Sequence, residues 1–87
     1  MNKEKAREKL DEAIDYYLYT DNDDFQNLLK EGDSLEEARS MAKINEKDVE
    51  KVSKSAEPEI ASFTVAQEII ERGVKEMHKE YEQARAR

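Results

Sequence analysis

Side chains able to do covalent or acid–base chemistry are present in this chain, but their spacing supports none of it. His78 is the only histidine and there is no cysteine. A two-histidine metal pair, a thiolate metal site, a cysteine nucleophile and an iron–sulfur ligand set are therefore all excluded. A metal-ligand role for His78 would need Glu82, one helical turn on, and groups from elsewhere. Serines at 34, 40, 53, 55 and 62 fall where helix caps or helix faces are expected, and none sits in a nucleophile elbow. Gly32 and Gly73 are the two glycines, too far apart for a phosphate-cradling loop. Asp21, Asp23 and Asp24 look like the opening of a calcium loop. That loop fails at Phe25, at Gln26 where the sharp turn needs glycine, and at Gly32 where a bidentate Glu is required. The chain is expected not to be an enzyme and to hold no metal or cofactor.

Binding chemistry is better represented. The stretch Asp15-Tyr16-Tyr17-Leu18-Tyr19-Thr20-Asp21-Asn22-Asp23-Asp24-Phe25 holds four of the six aromatic residues amid clustered carboxylates. Exposed tyrosines accept Arg or Lys over their ring faces, and carboxylates take guanidinium groups in bidentate fashion. Asp15, Tyr16, Tyr19, Asp21, Asp23 and Asp24 are thus the candidate partner-binding residues, and a protein with a basic surface is the expected partner. A plainer account of the same residues is a helix end: acids near a helix N-terminus favour its dipole, and tyrosine packs well between helices.

Charge sharpens the assignment. The 22 Asp and Glu residues outnumber 15 Lys and Arg, for a net charge of -7. Residues 11–33 hold eight acids and one base, so that third of the chain carries the whole imbalance and the remainder sums to zero. Leu, Ile, Val and Phe number 16 of 87, just under the roughly one fifth below which high net charge signals disorder. A thin core and marginal folding, helped by a partner or a second copy, are the expectation.

The elements that must position these residues read as helices throughout. One Pro, two Gly and almost no alternating pattern leave little to build a strand from. Ala6, Leu10, Ala13, Ile14, Tyr17 and Leu18 step by three or four, predicting a helix from about Lys3 to Tyr19 capped by Asn2. A short helix carrying Phe25, Leu28 and Leu29 would end at Gly32. Ser34 and Glu37 fit a capping box that opens a third helix with Leu35, Ala38, Met41 and Ala42 inward. A break near Ile44 leads to a fourth, carrying Val49 and Val52. Pro58 suits the first turn of a last helix reaching about Ala84. That helix would be roughly 40 Å long against a domain diameter near 30 Å, overhanging its core by about 10 Å. Its stripe of Phe63, Ile70, Val74, Met77 and Tyr81, with Ala66 between and Ile60 and Ile69 widening it, would serve as scaffold or as a contact with a second copy.

Residues Ala38, Ala42, Ile44, Asn45, Val49 and Val52 resemble the apolar frame of a helix-turn-helix, a resemblance spanning about 20 residues, which implies DNA binding. Lys43 replaces the usual turn glycine, and Arg39 occupies a position normally small and buried. Residues 47–54 carry three Lys and two acids, with no Arg, Gln or Asn to read bases. With a pI of about 4.8, direct nucleic-acid binding ranks below a protein partner.

The expected object is a single all-α domain, a small bundle of four or five helices with a long C-terminal helix; residues 1–57 form the short-helix region. The start of the chain leads into charged helix rather than an apolar leader, and no long apolar run follows, so a cytoplasmic location without membrane contact is expected. The composition is similar in style to small helical accessory or inhibitor proteins of mobile genetic elements, including acidic nucleic-acid mimics, without naming a family. A helix-turn-helix-like regulator and a homo-oligomeric structural module are the alternatives.

Overall fold

A computed structural model describes residues 1–20 and 34–85. Every described element is helical: α1 (Lys3–Asp15), extended by a π-helical turn over Tyr16–Thr20, then α2 (Leu35–Met41), α3 (Glu46–Lys54) and α4 (Pro58–Arg85). The short helix expected around Phe25, Leu28 and Leu29, with its stop at Gly32, lies outside the described residues.

Capping chemistry sets the boundaries. Asn2 accepts a hydrogen bond from the Lys5 backbone N–H through its side chain, at 2.8 Å, which starts α1 where an orphan donor would otherwise be left. The reciprocal capping box expected at Ser34 is only half formed. The Ser34 hydroxyl accepts from Glu37 N–H at 3.3 Å, but the Glu37 carboxylate accepts from the Tyr81 hydroxyl on α4 instead of reaching back. The complete box is at α3, where Asn45 Oδ1 accepts from Asp48 N–H at 2.9 Å and Asp48 Oδ2 accepts from Asn45 N–H at 3.0 Å.

Helix directions follow from who meets whom. Lys9 lies beside Glu59 and Tyr17 beside Gln67, so α1 and α4 run in the same sense. The pairs Asp48–Arg72 and Lys51–Glu68 make α3 antiparallel to α4. Gly73 abutting the end of α2 and Tyr81 meeting Glu37 do the same for α2. The second half of the long helix is thereby covered by α2 of the same chain, at least as far as Tyr81. The long axis of the molecule, 45 Å, is close to the length of 28 helical residues at 1.5 Å each.

The core combines a few large residues with many small ones. Leu10, Ile14, Leu18, Val49, Val52, Ile69, Ile70, Val74 and Met77 are the largest fully buried side chains, and Ala6, Ala13, Ala38, Ala42 and Ala66 pack among them. Alanine faces let helix axes approach closely, and each close contact adds a small dispersion attraction. The α1 stripe of Ala6, Leu10, Ala13, Ile14, Tyr17 and Leu18 is wholly buried. At its end the π turn advances each residue by less than the 100° of an α-helix, which swings Leu18 back toward the face of Tyr17.

Along α4 the buried face is rotated from the expected stripe. It runs through Ser62, Val65, Ala66, Ile69, Ile70, Gly73, Val74 and Met77. At 100° per residue, Phe63 and Tyr81 lie about 70° to one side of its centre. Both are exposed, and Ile60 more so. The expected stripe omitted Ser62, Val65 and Gly73, and at Gly73 the backbone of α2 comes close enough that a Cβ would meet it.

Candidate binding site

Tyr16, Tyr17 and Tyr19 share the π turn yet point to different surroundings. Tyr17 is buried, and its hydroxyl accepts a hydrogen bond from Gln67 Nε2 at 2.9 Å, so the polar tip of a packed ring is satisfied. Tyr16 is 43% exposed and Tyr19 52%. Tyr16 packs edge-to-face on Tyr17 and on Phe63, with ring centroids 5.7 and 6.0 Å apart, and Tyr17 meets Phe63 the same way at 5.7 Å. Phe63, assigned from sequence to a scaffold stripe, thus stands beside the candidate tyrosines; Ile70, Val74 and Met77 of that stripe are enclosed by the chain's own helices.

The acidic candidates divide. Asp15 is turned to α2, where Arg39 Nε donates to its Oδ1 at 2.7 Å while Arg39 Nη2 donates to Asp11 Oδ1 at 3.0 Å. Asp11 and Asp15 are four apart and share one face of α1. Burial works against the charge on Arg39, but the hydrogen bonds and charges of Asp15 and Asp11 more than offset it and raise its pKa above the ordinary value. Replacing Arg39 with Met should cost about 0.5–1 kcal/mol in low salt and less in high salt, because the partner carboxylates are half exposed; urea titrations at two ionic strengths check this. Asp21, Asp23 and Asp24 lie outside the described residues.

A different carboxylate, Glu12, stands one turn before Tyr16. With Lys9 and Ala13 of α1, Tyr16 of the π turn, and Glu59, Ser62 and Phe63 of α4, it lines an open cleft of about 390 Å³. The Ser62 hydroxyl donates to Glu59 O at 2.7 Å, so the floor of the cleft offers an approaching group little but apolar surface. Lys9 Nζ sits 3.3 Å from Glu59 Oε1. Glu12 forms no ion pair with any described residue. A second shallow cleft is lined by Met1, Glu57, Pro58, Glu59 and Ile60, so Glu59 borders both. Glu12 and Glu59 were not candidate binding residues from sequence, and Phe63 was assigned to the scaffold or second-copy stripe rather than to the partner-binding set. The one available signal was the i, i+4 spacing of Glu12 and Tyr16, which says nothing of α4.

The helix-turn-helix-like residues form a compact scaffold. Val49 and Val52 are buried, Ala38 and Ala42 likewise, and Arg39 reaches α1 rather than packing inward. Of the lysines on α3, Lys51 pairs with Glu68 at 3.7 Å, while Lys47 and Lys54 are exposed. Among the described residues no group of three or more His, Cys, Asp or Glu side chains is disposed to hold a metal ion, and no helix is long and apolar enough to cross a membrane.

The fold defines this chain as a small all-α bundle whose long C-terminal helix is sheathed by shorter ones. No family model, curated protein or solved structure matches it.

Proposed function

We propose that this chain is a non-enzymatic macromolecule-binding protein, a small accessory or inhibitor protein that docks an acidic and aromatic face on the basic surface of a partner such as a nucleic-acid-binding protein. The observation that carries this reading is the exposure of Tyr16 and Tyr19 on the π turn, while their neighbours Tyr17 and Leu18 are fully used by the core. Rings that contribute little to the core and stand beside carboxylates suit cationic side chains. The acids that follow in sequence from Asp21 to Asp24 add a field resembling a run of phosphates, which steers a basic surface toward the rings.

Replacing Tyr16 and Tyr19 together with Ser should leave helicity by circular dichroism unchanged and abolish retention of the partner. The check is affinity capture with the purified protein, identification of the retained species by mass spectrometry, and salt elution. Wild-type capture should weaken steeply with salt. Equal retention by wild type and variant, or a partner with an acidic surface, would overturn the reading.

A further inference from the structure

We propose that the cleft between α1 and α4 accepts an arginine side chain from the partner, and that Lys9 is a resident cation which the incoming guanidinium displaces from Glu59. This rests on the basic-partner reading above and names the point of contact.

The cleft brings together what a guanidinium requires. Tyr16 from the π turn and Phe63 from α4 present ring surface from both walls, 43% and 42% exposed and held edge-to-face by each other and by buried Tyr17. Because the rings are fixed by this packing, little freedom is lost when a flat cation lies against them. Glu12 and Glu59 supply carboxylates from opposite helices. Fork-shaped donors satisfy such acceptors better than a point charge.

Lys9 shows that a cation is tolerated in this cleft. Its side chain is only 26% exposed, with the ammonium on Glu59, whose own side chain is 80% exposed. Exchanging one ammonium for another gains nothing, whereas a guanidinium adds stacking on Tyr16 and Phe63 and a second acceptor in Glu12. This difference selects arginine over lysine. An anionic guest is disfavoured by two carboxylates against one lysine, and by a serine hydroxyl already committed to the backbone. Asp11 and Asp15 do not compete for the guest, because Arg39 occupies them.

The test is isothermal titration of the whole protein with hexa-arginine and hexa-lysine peptides at about 50 mM salt, low enough to leave ion pairs measurable. Hexa-arginine should bind at least about threefold more tightly. The Glu12→Gln/Glu59→Gln double variant and Phe63→Leu should each weaken it about fivefold. Removing the resident cation with Lys9→Met should tighten it about threefold. A charge-matched control, Glu76→Gln/Glu80→Gln, on exposed positions of α4 far from the cleft, should have less effect than the cleft pair. The altered carboxylates are exposed and Phe63 is partly so, so circular dichroism should show folded variants. Arginine binding that survives the cleft substitutions but is lost in an Asp21→Asn/Asp23→Asn/Asp24→Asn variant would overturn the cleft and leave the basic-partner reading standing. No binding of either peptide would overturn both. Equal affinity for the two peptides would overturn the selection of arginine.

Discussion

Gly73→Ala will unfold more readily than the wild type, by about 1–3 kcal/mol, although alanine is intrinsically the better helix former by about 1 kcal/mol. Gly73 lies inside α4, where propensity alone makes it a defect. A Cβ placed there would lie 2.8 Å from the Met41 carbonyl oxygen, 2.9 Å from its carbon and 3.1 Å from Ala42 N. These are backbone atoms at the end of α2, so no rotamer change can make room. One helix must move, and the move would loosen Ala38, Ala42, Val74 and Met77, which are buried in the same core. Urea denaturation with an unchanged m-value checks the size of the loss. A gain in stability of the propensity difference would mean that α2 and α4 do not touch at Gly73.

The second large effect is expected at Asp48. Its side chain is 4% exposed, and one oxygen, Oδ2, accepts from both Asn45 N–H at 3.0 Å and Arg72 Nη2 at 2.9 Å. Arg72 also donates to Lys43 O at 3.2 Å, so this one carboxylate joins the start of α3, the preceding turn and α4. The hydrogen bond to Asp48 outweighs desolvation and, with the nearby charges of Asp48 and Glu68, raises the Arg72 pKa above its ordinary value. Asp48→Ala removes half of the capping box, strands the Asn45 N–H and leaves Arg72 without its buried acceptor. The sum is about 2–3 kcal/mol, from a cap worth about 1 and a part-buried, charge-assisted hydrogen bond to Arg72 worth about 1–2. Arg72 is half exposed and can turn to water, which keeps the loss below that of a sealed ion pair. Arg72→Met should cost less than Asp48→Ala in the same thermal or urea titration, because it leaves the box intact; equal losses would show that the cap contributes nothing.

Helix type and order were legible because the information is local. Asn2, Ser34, Asn45 and Pro58 each act on the amides or dihedrals of their own first turn, so the starts of all four described helices could be read one residue at a time. The α1 stripe was legible for the same reason: six apolar residues at helical spacing, all buried. Where two residues competed for one turn of α4, spacing was not enough. Phe63 is larger and more apolar than Ser62, yet Ser62 is inside and Phe63 half outside. The buried face includes Gly73, where the backbone of α2 leaves no room for a side chain, and spacing along α4 alone does not reveal that contact. Tyr16 and Tyr19 were read as partly exposed because they fall off the α1 stripe, and the structure places them outside. Glu12 was passed over because nothing in α1 reveals that Glu59, 47 residues further along the chain, lines the same cleft.

The amino-acid order of this chain determined its all-helical character, where its helices begin and how its charge is distributed, since each depends on neighbours within a turn or two or on simple counting. The tertiary arrangement decided which acids remain available and which residues can be neither larger nor neutral. Arg39 on α2 engages Asp11 and Asp15 and leaves Glu12 to face α4. Contact with α2 turns Gly73 from a weak point of a helix into a requirement. The physical reason is the same in each case: ion pairs and steric contacts act over a few ångströms of space, and only the packing of α1, α2, α3 and α4 determines which residues lie within that reach.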